Sequence, residues 1–183
     1  MNRALIQGDR VFLRNPTARD RDEFIDRALA SRKLHGRWVT AASDVEAFAI
    51  YMQQAKRADV QKLLVCRRQD GAIVGSYNLG QIFYGPFCGA YLGYYAFEPF
   101  AGQGYMREGI RLTLSHAFGP LKLHRLEANI QPDNEPSLAL VRGAGFRKEG
   151  FSPRYLKIAG RWRDHERWAI LAEDFHPARG RRT

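Results

Sequence analysis

Gly102-Gln103-Gly104-Tyr105-Met106 stands where an apolar, strand-like run, Ala90 to Phe97, gives way to a helical pattern. Two glycines here let the backbone turn sharply and approach a ligand closely, and the first amides of the following helix point outward, unpaired, at its positive dipole end. Such a turn serves either as a plain strand-to-helix joint or as a phosphate seat. Beyond it, Met106, Ile110, Leu114 and Ala117 recur at helical spacing within Tyr105 to Phe118. Arg125 to Ile130 then alternates Leu126, Ala128 and Ile130 with polar neighbours, the period-two pattern of a strand. A strand, helix, strand unit therefore encloses the glycines. A dinucleotide fingerprint needs a third glycine where Arg107 stands, and a P-loop needs a Gly-Lys-Ser/Thr ending, so neither nucleotide motif is completed.

The rest of the chain supplies more strands and helices around that unit. Val11-Phe12-Leu13 predicts an opening strand stopped by Asn15-Pro16, and Thr17 with Asp20 starts a helix through Phe24, Ile25, Ala28 and Leu29. Ser43 with Glu46 has the spacing of a capping box for a second helix ending near Arg57. Lys62 to Cys66 and Ala72 to Leu79 read as an antiparallel pair joined at Gln69-Asp70-Gly71. The loop from Gln81 to Gly89 carries Phe83, Tyr84 and Phe87, which suit either core or substrate wall. Pro136 suits the first turn of a helix closed by Gly143-Ala144-Gly145. Arg154 to Ile158 and Trp162 to Leu171 are two last strands joined at Ala159-Gly160-Arg161.

Across 183 residues, 45% hydrophobic and 12% aromatic, this is the composition of one globular domain, residues 1–183, and it excludes a disorder-dominated chain. No apolar run approaches the roughly 20 residues of a membrane helix and Met1 to Arg10 lacks a signal-peptide core, so the expectation is a cytoplasmic protein without a membrane partner. Cys66 and Cys88 have no metal spacing, and the five histidines, His35, His116, His124, His165 and His176, lack ligand spacing, so no metal is expected. A formal charge of +10 favours anionic partners, whether nucleic acid, a ribonucleoprotein or a polyphosphate ligand. Residues 176–183, with Arg179, Arg181 and Arg182, read as a disordered basic tail.

Four segments at this spacing resemble the GNAT acyltransferase superfamily, in its RimJ/RimL type of ribosomal-protein-alanine N-acetyltransferases. They are Tyr91-Leu92-Gly93-Tyr94; the glycine loop with Glu108 behind it; Asn134-Glu135-Pro136-Ser137 before Gly145-Phe146; and Trp162-Arg163-Asp164-His165. The resemblance implies an α/β (α+β) GNAT fold, a mixed, mostly antiparallel sheet of about seven strands flanked by about four helices. It implies a splay between the fourth and fifth strands, Ala90 to Phe97 and Arg125 to Ile130, holding acetyl-CoA. Gly102, Gln103, Gly104, Tyr105 and Met106 would then seat the pyrophosphate and Phe97 would offer backbone to the pantetheine arm. Asn134 would bond that arm. Ser137 would protonate the departing thiolate, while amides near Tyr95 polarise the thioester.

Read from the residues alone, Asn134 is equally a turn asparagine and Ser137 a first-turn serine. Tyr95, Glu98, Glu149 and His165 are the candidates for a base or water anchor, because Arg154 stands where relatives carry an acid before the Tyr-Leu pair. The implied acceptor is a protein N-terminus, that of a ribosomal protein with Ala or Ser first. The alternatives are a small amine (aminoglycoside, polyamine or amino acid) and a non-catalytic module holding coenzyme A or RNA. Oligomeric state is not legible. Ala101 occupies the place where the family loop usually starts with Gln or Arg. Ala101→Gln is expected to lower the KM for acetyl-CoA in steady-state kinetics; an unchanged KM would mean that the loop amides suffice.

Overall fold

Leu63 and Val65 alternate with Leu64 and Cys66 along one strand, all four fully buried, so both faces of the sheet they belong to must be covered. The computed structural model of the chain describes residues 4–177. Eight strands form one sheet: β1 (Ile6–Gln7), β2 (Val11–Arg14), β3 (Gln61–Arg67), β4 (Ile73–Phe83), β5 (Gly89–Ala96), β6 (Arg125–Ile130), β7 (Arg147–Ile158) and β8 (Arg161–Leu171). Their spatial order is β1-β2-β3-β4-β5-β6-β8-β7. All neighbours are antiparallel except β5 and β6, which run parallel. That pair needs a crossover, and α4 (Tyr105–Phe118) provides it. The other helices are α1 (Arg21–Ala30), α2 (Arg32–His35), α3 (Val45–Gln54) and α5 (Glu135–Ala144).

The period of two sorts the side chains into two cores. Leu63, Val65, Tyr77, Leu92, Leu126 and Ile130 pack under α4 and α5 with Ile110, Leu114 and Val141. Leu64, Cys66, Ile73, Tyr95 and Phe97 pack against Phe24, Ala28, Phe48 and Tyr51 of α1 and α3. Helix α4 lies close on the sheet because residue 109 is glycine: a Cβ there would stand 3.1 Å from Tyr77 Cε2 and 3.2 Å from Val65 Cγ1. The Tyr77 hydroxyl, beneath the helix, donates to Met106 O at 2.7 Å.

The mostly antiparallel GNAT-type architecture matches the sequence expectation, with local differences. A short extra strand, β1, pairs with β2, raising the count to eight strands, and the single turn of α2 raises the helices to five. Asp44, not Ser43, caps α3, its Oδ1 accepting from Ala47 N at 2.7 Å. Strand β7 begins at Arg147 rather than Arg154, because this edge strand is largely exposed along both faces and so carries no alternation to read. Phe83 closes β4, and Phe83, Tyr84 and Phe87 are 51%, 59% and 45% exposed. Arg179, Arg181 and Arg182 of the basic tail lie outside the described residues.

Between β2 and α1, Arg14 and Asp20 form a buried bidentate pair at 2.7 and 2.8 Å, and Thr17 N donates to the same carboxylate at 2.6 Å. Burial opposes charge on Asp20, but the bonds from Arg14 and Thr17 outweigh it and hold the carboxyl below its ordinary value. Its contribution is therefore complete at neutral pH and fades as pH falls through that lowered value. Asp20→Ala leaves Arg14 charged and unpaired, and chemical denaturation should show a loss of about 3–5 kcal/mol.

Candidate active site

The parallel strands β5 and β6 are paired only at Gly89↔Arg125, Ala90↔Leu126 and Tyr91↔Glu127. Past those residues each stays with its outer neighbour, β5 with β4 up to Gly75↔Ala96 and β6 with β8 up to Ile130↔Glu166. A wedge-shaped cleft opens between them. It holds a cavity of about 600 Å³ walled by Leu92 to Ala96 on one side and Asn129 to Gln131 on the other. The glycine loop and the start of α5 close one face, while Leu34, His35, Trp38 and Val39, in and after α2, close the opposite one.

The glycine loop meets the cleft with its backbone. Gly102 and Gly104 hold φ of 75° and 82°, left-handed values suited to residues without a Cβ. Gly104 is the N-cap of α4 and has no side chain to offer, so the amides of the first turn face the cavity uncapped. Gly102, Gly104, Tyr105 and Met106 line the cavity, as does Arg107. Gln103 is turned back into the loop, its Nε2 donating to Pro99 O at 2.7 Å. Behind the loop, Glu108 Oε1 accepts from the amides of Arg10 and Val11 at 2.8 and 3.2 Å. Arg10 also donates to Gln103 O at 3.0 Å and lies over the Tyr105 ring.

At the start of α5, Asn134 Oδ1 accepts from Ser137 N at 3.3 Å, the bond of an N-cap, and its Nδ2 is left free to donate toward a ligand. Ser137 Oγ lies 2.6 Å from the Tyr94 hydroxyl, which also donates to Ser137 O at 3.3 Å. Burial pushes the Tyr94 hydroxyl far above the ordinary range, so it stays a neutral donor and acceptor. Tyr94 is thus the partner of Ser137. Successive strand residues point to opposite faces, and the Tyr95 ring packs on the α1 side against Phe24, His35 and Phe97. Tyr95 nonetheless borders the cavity.

Phe97 does not border it. The residue is fully buried, its N–H donates to Val74 O and its carbonyl accepts from Phe100 N, both at 2.9 Å, so the backbone expected to meet a ligand arm is already engaged within the fold. Among the candidate bases, Glu149 is bound to Arg125 and Glu98 stands outside the cavity wall. Phe83, Tyr84 and Phe87 are not part of the wall either. The exposed Arg154 sits at a bulge with φ of 50°, its N–H donating to Asp164 Oδ1 at 2.7 Å.

The histidines divide by environment. His165 and His35 line the cavity, and burial lowers the pKa of both despite opposing bonds to carbonyl oxygens. Tyr94, Asn129, His35 and Trp38 were not singled out from sequence. Period two could have placed Tyr94 on the face of Leu92, but its contact with Ser137 joins residues 43 apart.

Free helix-start amides and Arg107 at one end, a long cleft, and a hydroxyl pair beyond it fit an extended thioester carrying a pyrophosphate. The comparisons agree. Residues 10–147 match the acetyltransferase (GNAT) domain family. The probable N-acetyltransferase YjcK of Bacillus subtilis is 36% identical over 124 residues, 68% of each chain. The [ribosomal protein uS5]-alanine N-acetyltransferase of Escherichia coli is 36% identical over 107 residues, 58% of this chain and 55% of that enzyme. Mycobacterium smegmatis RimJ in complex with CoA-disulfide superposes with a TM-score of 0.81 at 29% identity, covering 89% of this chain and 82% of that one.

Gly104→Ala keeps ordinary packing, since a Cβ would meet only Arg10 Nη1 at 3.6 Å, but forces a left-handed alanine. The melting transition should show a loss of about 1–2 kcal/mol, and calorimetry should show weaker binding of coenzyme A. The chain belongs to the GNAT acetyltransferase family, whose members use acetyl-CoA.

Proposed function

We propose that this chain transfers the acetyl group of acetyl-CoA to the α-amino group of a protein N-terminus, that of a ribosomal protein beginning with Ala or Ser. The observation that carries the acceptor is the 36% identity to the enzyme acting on ribosomal protein uS5. The formal charge of +10 supports it, because a cationic small amine would be repelled where a substrate bordered by ribosomal RNA would be attracted.

Acetyl-CoA brings an acetyl group already activated as a thioester, so the protein needs no covalent intermediate. The first-turn amides of α4 hold the pyrophosphate, with Arg107 as the nearby cation, and Asn134 Nδ2 donates to the pantetheine arm. Ser137 supplies the proton for the thiolate, and Tyr94, 2.6 Å away, orients its hydroxyl. The acceptor must react as the neutral amine, and an α-amino group with an ordinary pKa of ~8 needs only modest help at neutral pH.

N-terminal peptides and a panel of polyamines, aminoglycosides and amino acids, followed by thiol release, separate the acceptors: turnover confined to small amines sinks the N-terminal reading. Acetyl-CoA binding without product from any amine would make the chain a binding module. Ser137→Ala should lower kcat by roughly 10²-fold, and Tyr94→Phe should lower kcat with little change in the KM for acetyl-CoA. A loss under about threefold for Ser137→Ala would exclude acid catalysis by that hydroxyl.

A further inference from the structure

An acetyl transfer to nitrogen must dispose of two protons, one gained by the thiolate and one lost by the amine, and Ser137 accounts only for the first. The pairing of β6 with β8 shows where the second can go. Along β8, Trp168 and Ile170 face the core beneath α4 and α5, as do Leu126, Ala128 and Ile130 of β6. His165 is odd to that series and therefore faces the α1 side, the same face as Asn129. Ser137, on α5, reaches the cleft from the other face. The cavity lies between them and touches both.

His165 is held in a defined state. Its Nδ1 lies 3.0 Å from Arg163 O, and since a carbonyl oxygen only accepts, the proton of the neutral ring sits on Nδ1. That leaves the lone pair on Nε2, for which the described residues supply no hydrogen bond. His116 differs, since its Nε2 is sealed from solvent without a partner among the described residues, and it is not part of this cavity's wall.

We propose that His165 Nε2 takes the proton from the acceptor amine; this rests on the transferase reading above. The acceptor, an ammonium below its pKa, gives one proton to Nε2, which frees the lone pair that forms the C–N bond to the acetyl carbon, and the further proton left on nitrogen passes to water as the adduct collapses. The C–S bond breaks with its electron pair on sulfur, and the thiolate takes the Ser137 proton. Imidazolium then gives its proton to water, and water reprotonates Ser137, so that both side chains return to their starting states. The charged and titratable groups around the ring are Asp164 and Arg163 beside it on β8, Tyr155 of β7 with its ring 6.1 Å away, and across the cavity His35 of α2 and Arg107 of α4. Asp164 accepts from the Arg154 amide. Burial, opposed by the bond to Arg163 O and by Asp164, leaves the ring below the ordinary histidine value, a neutral base at pH 7.

The test is His165→Asn, whose amide nitrogen keeps a donor for Arg163 O while removing the Nε2 lone pair, beside His35→Asn, the same change at the other imidazole of the cavity. For His165→Asn we expect kcat to fall by roughly 10²-fold or more at pH 7, with coenzyme A affinity by calorimetry unchanged. The deficit should shrink as pH rises past the amine pKa near ~8, because the acceptor then arrives deprotonated. Added imidazole should restore part of the rate. A deficit that stays constant with pH, turnover within about threefold of the parent, or the pH-dependent loss appearing in His35→Asn instead, overturns the proposal. Nitrogen NMR of the free protein gives a readout independent of activity: a proton on Nδ1 at pH 7 is required, and one on Nε2 rejects it. Because the deficit can be read on whichever amine turns over, a wrong acceptor assignment fails separately from a wrong base.

Discussion

The hydrogen bonds that β5 and β6 do not make organise this molecule. Three residue pairs tie the strands together, and beyond them each is retained by its antiparallel neighbour. A parallel pair is joined only through a crossover, so a helix must begin where β5 ends. The widening gap and the free amides of α4 are therefore products of one topological choice. Backbone groups lining the gap lack the partners that a continued ladder would supply, and a ligand that lies along the strands can meet that need.

Fold and site were legible to different depths. The helix through Ile110 and Leu114 and the strand through Leu126 and Ile130 were clear because each packs one face on a large core, which imprints its period on the sequence. Strand β7 was half lost because an exposed edge leaves no such imprint, and β1 is two residues long. The glycines were found because a left-handed backbone restricts residue choice. Tyr94 was passed over for Tyr95, and the cause is geometric: neighbouring tyrosines on a strand look alike in sequence, while opposite faces give one a serine and the other an aromatic cluster. His165 was named only among several candidates, since its tautomer depends on the carbonyl of Arg163, which no side-chain pattern records.

The two faces of the sheet also divide the chemical labour. On the α5 side stand the hydroxyls of Ser137 and Tyr94, and on the α1 side a neutral imidazole within walls of Trp38, Val39 and Leu34. In the proposed reaction, nucleophile and leaving group would meet separate surroundings, each open to tuning by substitutions on its own side.

Tyr77 gives the loop a further property. Its fully buried hydroxyl grips Met106 O from below, while Glu108 ties the same turn to the amides of Arg10 and Val11 at the sheet's far edge. The anion seat is thereby fastened to the hydrophobic core on one side and to the backbone of an outer strand on the other. A pyrophosphate bound there, as proposed, would find its donors already oriented and spend little conformational entropy in ordering them, so its recognition would resemble docking to a rigid receptor rather than folding around a guest.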